Sequence, residues 1–493
     1  MADNHTWSDQ QQKIFGWFAK SSPVNSDHLV VRARAGTGKT TTIIEGIKHA
    51  PESSILLAAF NKRIATELEV RLEGTNAEAK TLHSIGFSFL RRYWSSIGVE
   101  KRNGTRQLTL AEQVCGTRAP ESVIKLVGTL HTKGREIVPH ADTVGDLTDL
   151  AYQFDCVPDE SWCRDGFGVE YVETRALEAM ELAARVKPVG TGIDFSDMIY
   201  LPIRNQWLTK RWDLVVVDEA QDMTEAQLEI AQKVCRGRIC VVGDDRQAIY
   251  GFRGADSESL DRLKAELHAD ELGLTTTYRC GTTIVNAAKA LVDDFEAGPS
   301  NPEGSITEMD PEEMKRQVDI GDFILSRVNA PLVSIALALL AKGKRTLIAG
   351  RDVGAGLKKL IRTLAKGAAA QSIPRLLERI SVWEEKQCDR MIRAKKPERC
   401  DLIHDQAECL VALCSDATSV WAITQRIDAL FTDNGLGQAG TITCSSVHKS
   451  KGLEADRVFI LRDTLKEHNQ EELNIQYVAI TRAKSKLVWV FKD

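Results

Sequence analysis

The stretch ARAGTGKT, Ala33 to Thr40, constrains this chain more than any other feature. It follows a β-branched apolar run, HLVVRA, and precedes a pattern of helical period, so it reads as a loop that closes a strand and opens a helix. In that setting Gly36 and Gly38 let the backbone of Ala33, Arg34, Ala35, Gly36, Thr37 and Gly38 crowd around phosphate oxygens, and the helix start adds positive potential. Lys39 would reach the terminal phosphates and Thr40 could hold Mg²⁺. The first position is Ala33 instead of glycine, which leaves open a glycine-rich turn that merely has this form.

A loop of this kind belongs at the carboxyl edge of a parallel sheet, and the rest of the chain supplies one. SILLAAF ending at Phe60, DLVVVDEA ending at Ala220 and RICVVGD ending at Asp244 are further short apolar runs closed by small or polar residues. DFIL at Asp322, TLIAG at Thr346, RVFIL at Arg457 and KLVWVF at Lys486 predict a second sheet of the same kind. Two intervening stretches, about 84–187 and 351–433, carry amphipathic helical patterning without strand signals. The predicted fold class is therefore α/β, with two parallel-sheet cores and two helical insertions.

Composition narrows the class without naming a partner. The 493 residues carry a net charge of only −5, so a basic face for nucleic acid must be local, with candidates at 342–351, 358–366 and 390–399. Solvated helix faces are the plainer reading of all three. Eleven cysteines, an odd number, predict reduced thiols, and the separations of Cys388, Cys400, Cys409 and Cys414 match no zinc signature. The start MADNHTWSDQ has neither a basic region nor an apolar stretch, which predicts a cytoplasmic protein. The longest apolar segment, around Leu332 to Ala341, is far shorter than the ~20 residues of a membrane span.

Two further motifs carry chemistry. VVVDEAQD, Val215 to Asp222, delivers adjacent carboxylates to a strand end, an arrangement that is costly without a cation. Asp218 would complete a Mg²⁺ shell while Glu219 polarises an attacking water. A helix start decorated with acids is the alternative. VVGDDRQAIYGFRGA, Val241 to Ala255, sets Gln247 between a strand end and a turn containing Phe252 and Arg253.

In this order the motifs resemble superfamily 1 helicases of the UvrD, Rep and PcrA type. That resemblance implies two RecA-like motor domains with two helical insertion domains: 1–83 with 190–272 as domain 1A, 84–189 as 1B, 273–350 with 436–493 as 2A, and 351–435 as a reduced 2B. It implies ATP and Mg²⁺ as cofactors, single-stranded DNA and single-strand/duplex junctions as partners, and 3′-to-5′ movement with unwinding. A translocase that mainly displaces bound proteins is the alternative.

Residue by residue, the resemblance gives Gln247 the γ-phosphate-sensing role, and Phe252 and Arg253 its coupling to the strand. Gln11 in WSDQQ sits where adenine is read. Phe60, Asn61 and Lys62 in AFNKRIA, and Thr81 and His83 in TLHS, match DNA-contacting motifs. Tyr278 and Arg279 in LTTTYRC match the residues that stack on adenine and touch the γ-phosphate. TITCSSVHKSKGLEAD gives His448 and Lys449 to DNA, and Gly452 and Glu454 to the nucleotide. ELNIQYVAITRAK puts Arg482 on the γ-phosphate. Thr41 stands where Rep-like enzymes usually carry an arginine, which alters the second face of the adenine sandwich. The wording AFNK, TLHS and ELNIQYVAITRAK resembles more closely a compact branch that includes the eukaryotic F-box DNA helicase and phage or bacterial relatives.

Overall fold

Strands with apolar residues on both faces need cover on both, and the alternation of neighbouring residues shows that they have it. In β1 (Leu29–Ala33), Leu29, Val31 and Ala33 enter one buried cluster and Val30 the other. In β4 (Trp212–Val217), Val215 and Val217 pack on the second face while Leu214 and Val216 pack on the first. Helices Lys39–His49 and Asp9–Ala19 supply apolar residues to one cluster, and Leu82–Tyr93 and Glu225–Val234 to the other.

The computed structural model describes residues 6–20, 27–100, 104–158, 160–185, 187, 192–249, 259–366, 372–393, 397–433 and 440–491. Contacts divide the chain into two units, residues 1–33 with 38–274 and residues 34–37 with 275–493.

The first unit holds a six-stranded, all-parallel sheet. With β2 (Ile55–Ala59), β3 (Ala77–Thr81), β5 (Cys235–Gly243) and β6 (Asp270–Leu274), its order is β3-β2-β4-β5-β1-β6. β4, β5 and β1 are thus adjacent, and the three motifs at their carboxyl ends meet along one edge. A helical body follows, with Thr105–Cys115, Glu121–Ile137, Gly145–Gln153 and Val169–Arg185 around their own apolar core. Beneath it, Arg135 is fully buried. It forks onto Asp194 at 2.7 Å and Asp197 at 2.6 Å, and Arg106 reaches Asp197 at 3.0 Å. Asp194 also caps the helix Phe195–Arg204, so this ion cluster fixes where that helix starts.

The second unit has a two-stranded pair, β7 (Thr276–Thr277) with β8 (Glu296–Ala297), and a seven-stranded parallel sheet. The latter comprises β9 (Ser305–Met309), β10 (Phe323–Ser326), β11 (Thr346–Ala349), β12 (Phe431–Thr432), β13 (Ile442–Ser446), β14 (Ala455–Leu461) and β15 (Ala483–Val490), in the order β12-β11-β13-β10-β14-β15-β9. Between β11 and β12 run the helices Arg351–Leu364, Ile373–Arg393, Cys400–Cys414 and Val420–Leu430.

The parallel α/β reading holds, with additions. β3, β6 and β9 lie at sheet edges and are largely polar, so they lack the apolar run that marks a strand. β13 is central, but its ITCSS is read from small polar side chains. β12 falls inside the second stretch expected to be wholly helical. Among the described residues no helix is long and apolar enough to cross a membrane.

Candidate nucleotide and strand site

At the edge where β1, β4 and β5 end, the side chains form one connected network within the first unit. Gly38 adopts φ +77° at the cap of helix Lys39–His49, a left-handed conformation that glycine takes without strain, and it delivers Lys39 to the start of that helix. The Lys39 ammonium lies 3.2 and 3.3 Å from the two Glu219 carboxylate oxygens. Burial alone would lower its pKa, but Glu219, Asp244 and Asp218 more than reverse this, and it stays a cation.

Glu219 itself sits at φ +52°, an uncommon conformation for a residue with a side chain. Its carboxylate accepts from Gln221 Nε2 at 2.6 Å. Gln221 Oε1 in turn accepts from the Asp244 N–H at 3.1 Å, and Asp244 Oδ2 accepts from Gln247 Nε2 at 2.6 Å. Lys39, Glu219 and Gln247, which the sequence singled out on three separate motifs, are thereby joined through Gln221 and Asp244. No local pattern in the sequence singles out these two. Both lie inside motifs already quoted, and only their buried bridging geometry distinguishes them.

Thr40 and Asp218 fit a divalent cation. Thr40 Oγ1 donates to Asp218 Oδ2 at 3.1 Å, so two oxygens already stand near the separation of adjacent ligands around Mg²⁺. Burial, then the Glu219 charge, raises the Asp218 pKa to about 6, while Lys39 and Thr40 oppose the shift. A carboxylate so disfavoured is one that a cation would stabilise.

Gln11 is buried. It closes a capping box with Ser8, and its Nε2 donates to Thr42 Oγ1 at 3.0 Å, beside the phosphate loop. Thr41 Oγ1 accepts from Arg71 Nη2 at 3.2 Å, so a guanidinium from helix Lys62–Arg71 reaches the position where the helix itself carries threonine.

The strand candidates also converge in the first unit. Phe60, Asn61, Lys62, Thr81 and His83 line a cavity of about 710 Å³ together with Phe87 and Phe195. Asn61 and Thr81 cap the two helices that open there, accepting from Ile64 N and Ser84 N, which anchors the cavity wall to two helix starts. Burial lowers the His83 pKa, with Glu136 opposing, and its ring meets Phe195 edge-on at 6.1 Å. Phe195 is 59% exposed. No local pattern marks it, because it opens a helix more than a hundred residues beyond the Thr81 and His83 that it joins. Phe252 and Arg253 lie outside the described residues.

The second unit gathers its own group. Residues 34–37 cluster here: Arg34 forks onto Asp294 at 2.8 and 3.0 Å, the Ala35 N–H donates to the Tyr477 hydroxyl at 3.0 Å, and Gly36 O accepts from the Tyr278 N–H at 2.9 Å. Thr37 Oγ1 turns back to Arg34 O. A Cβ on Gly36 would stand 2.6 Å from Arg279 Cβ, so only glycine allows this approach. Arg279 pairs with Glu454 at 2.6 Å, and Lys484 holds the other Glu454 oxygen at 2.7 Å.

Arg482 is fully buried. Its donors go to Val478 O, Leu453 O and Thr481 Oγ1, and burial, then repulsion from Arg279, lowers its pKa to about 10. Tyr278 is 45% exposed. Gly452 takes φ +82° just before Glu454. Lys449 pairs with Asp352 at 2.8 Å, next to His448.

Comparison with known proteins finds family-model matches in both units. Residues 18–268 match the family model for the UvrD/REP helicase N-terminal domain, and residues 441–490 match that for the UvrD-like helicase C-terminal domain. F-box DNA helicase protein 1 of Schizosaccharomyces pombe is 24% identical across 93% of this chain and 55% of its own length. ATP-dependent DNA helicase PcrA of Staphylococcus aureus, and that of Staphylococcus epidermidis, are 25% identical across 54% of this chain and 38% of theirs. The chain thus spans about half or less of the relatives it matches.

Proposed function

Because the chain belongs to the UvrD/REP helicase family, we propose that it is an ATP-dependent DNA helicase that moves 3′-to-5′ along single-stranded DNA and opens duplexes at junctions. The observation that carries this reading is the continuous path Lys39–Glu219–Gln221–Asp244–Gln247 at three neighbouring strand ends. A phosphate-binding lysine, a water-activating carboxylate and a glutamine that can register the γ-phosphate are already linked there.

Lys39 neutralises Glu219. An incoming triphosphate would draw the ammonium onto its own oxygens and leave Glu219 free to accept a proton from the water that attacks the γ-phosphorus. Thr40 and Asp218 would hold Mg²⁺, which supplies charge neutralisation on the phosphate oxygens. Arg279 and Arg482 would stabilise the charge that develops as the bond to ADP breaks. For Arg279 this means leaving Glu454, which keeps Lys484 as a partner. Gln11, Thr41 and Tyr278 would hold the adenosine end, with Gly452 and Glu454 beside it.

The cavity around Phe60, His83 and Phe195 would take the DNA strand, stacking bases at about 1–3 kcal/mol each without regard to sequence. Lys62, His448 and Lys449 would meet the backbone. Phe252 and Arg253 are assigned to the same track. The eleven cysteines, all free thiols, support a reducing cytoplasmic setting.

Strand displacement on matched duplexes with a 3′ or a 5′ tail, in DNA and in RNA, tests the proposal. Unwinding of the 3′-tailed DNA duplex, dependent on ATP hydrolysis, is expected. Unwinding only from the 5′ tail would reverse the polarity, and eviction of a bound protein without strand separation would favour a translocase.

A further inference from the structure

Arg32 is the last side chain of β1 before the phosphate loop that has no place in the chemistry above. It lies on the sheet face opposite to Val31 and Ala33 and is largely buried. Three acids from three elements converge on its guanidinium. Nη1 lies 3.1 Å from Asp245, in the turn Asp245–Gln247; Nη2 lies 2.6 Å from Asp261, in helix Ser259–Leu267; and Nε lies 3.1 Å from Glu271, in β6. Burial by itself would make this cation less stable, yet Asp245, Glu271 and Asp261 more than compensate. Remove the guanidinium and three carboxylates lose the cation they share, with Lys264 still beside Glu271 and Arg246 still beside Asp245.

We propose that Arg32 is a positioning residue for ATP turnover: it fixes the turn that presents Gln247 against the strand that feeds the phosphate loop. The route is short. Asp245 follows Asp244 directly, and Asp244 holds both the Gln247 amide and, through Gln221, the carboxylate of Glu219. β1 and β5 pair Arg32 with Gly243, so the guanidinium spans from one strand end to the turn that leaves its neighbour. Asp261 gives the same guanidinium a hold on the helix that follows residues 250–258. Arg32 touches no nucleotide in this scheme. It acts through the placement of Gln247, which must sit within a fraction of an ångström of its working position, since a misplacement of about 1 Å can lower a rate by about 10²-fold.

The inference rests on the helicase reading, and the test separates the two. The measurements are steady-state ATP turnover with saturating single-stranded DNA, strand affinity, and thermal melting. They are made on the full chain and on Arg32→Met, Asp245→Asn, the double variant and Asp261→Asn. Arg32→Met should lower kcat roughly 10- to 100-fold with KM for ATP and strand affinity within about twofold of the original chain. Asp245→Asn, which cuts the tie between Arg32 and the Gln247 turn while leaving Arg32 its pairs with Asp261 and Glu271, should reproduce that loss and remains informative if Arg32→Met folds poorly. The double variant should lose no more than either single change.

A kcat per folded molecule unchanged in Asp245→Asn overturns the proposal, as do additive losses or an equal rise in KM. A greater loss from Asp261→Asn than from Asp245→Asn overturns it too, because the route then does not pass through the turn. Failure of the unaltered chain to hydrolyse ATP with DNA would instead sink the helicase reading.

Discussion

At the scale of single residues, the proposed phosphate site and the proposed strand cavity draw on different side chains, so their variants should separate. Lys39→Ala is expected to remove ATP turnover while leaving single-strand binding within a few-fold, because Lys39 pairs with Glu219 at the strand ends and does not line the cavity around Phe60 and His83. Parallel loss of both, measured by turnover and fluorescence anisotropy, would contradict that division. Arg279→Ala and Arg482→Ala should each slow turnover by about 10³-fold or more if they act on transition-state charge. Phe195→Ala should weaken strand binding by about 1–3 kcal/mol with an unchanged salt slope, whereas Lys62→Ala should reduce that slope by about one. Equal slopes for the two variants would remove Phe195 from the stacking role. The residues that the sequence made legible here are those with a fixed local grammar, such as Lys39 and Thr40 after GTG. Phe195 and Gln221 have none: their neighbours come from distant positions.

At the scale of elements, the helical body of the first unit depends on buried charge. Arg135 is enclosed with Asp194 and Asp197, and removing one partner of a buried pair strands the other. Arg135→Met should therefore destabilise the chain by about 3–5 kcal/mol in urea unfolding. It should also weaken strand binding, because Asp194 sets the start of the helix that carries Phe195. Stability lost without any change in binding would dissociate that helix from the strand site.

Beside this cluster, His131 presents Nε2 to Gln107 O at 2.9 Å, while burial, then Arg135, pushes its pKa down to about 3. Unfolded, the imidazole binds a proton near pH 6.5, and folded it does not until about pH 3. The unfolded state therefore binds more protons across that window, and stability should fall by up to about 1.4 kcal/mol for each pH unit below 6.5. His131→Gln should flatten the slope of unfolding free energy between pH 6.5 and 5, and an unaltered slope would place the titration elsewhere.

At the scale of the whole molecule, a slowly hydrolysed ATP analogue with Mg²⁺ should raise stability by about 2.7 kcal/mol at a hundred times its Kd, a gain that Lys39→Ala should abolish. A gain of equal size in the variant would mean that the analogue binds away from the phosphate loop. By itself the sequence determined the parallel α/β class and marked the turn after β1 as a candidate phosphate loop. Strand apolarity, helical period and a glycine-rich turn are short-range properties, complete within about ten residues.

The edge strands β3, β6 and β9 escaped because half-exposed strands need no apolar run. Only the tertiary structure decided which side chains share a boundary: Asn61 and Thr81 with Phe195, Gln221 with Asp244, and Arg32 with acids from three elements. Polar partners are chosen by distance and burial once the chain has closed. Parallel sheets bring strand ends together across long crossovers, so no local pattern can announce the pairing.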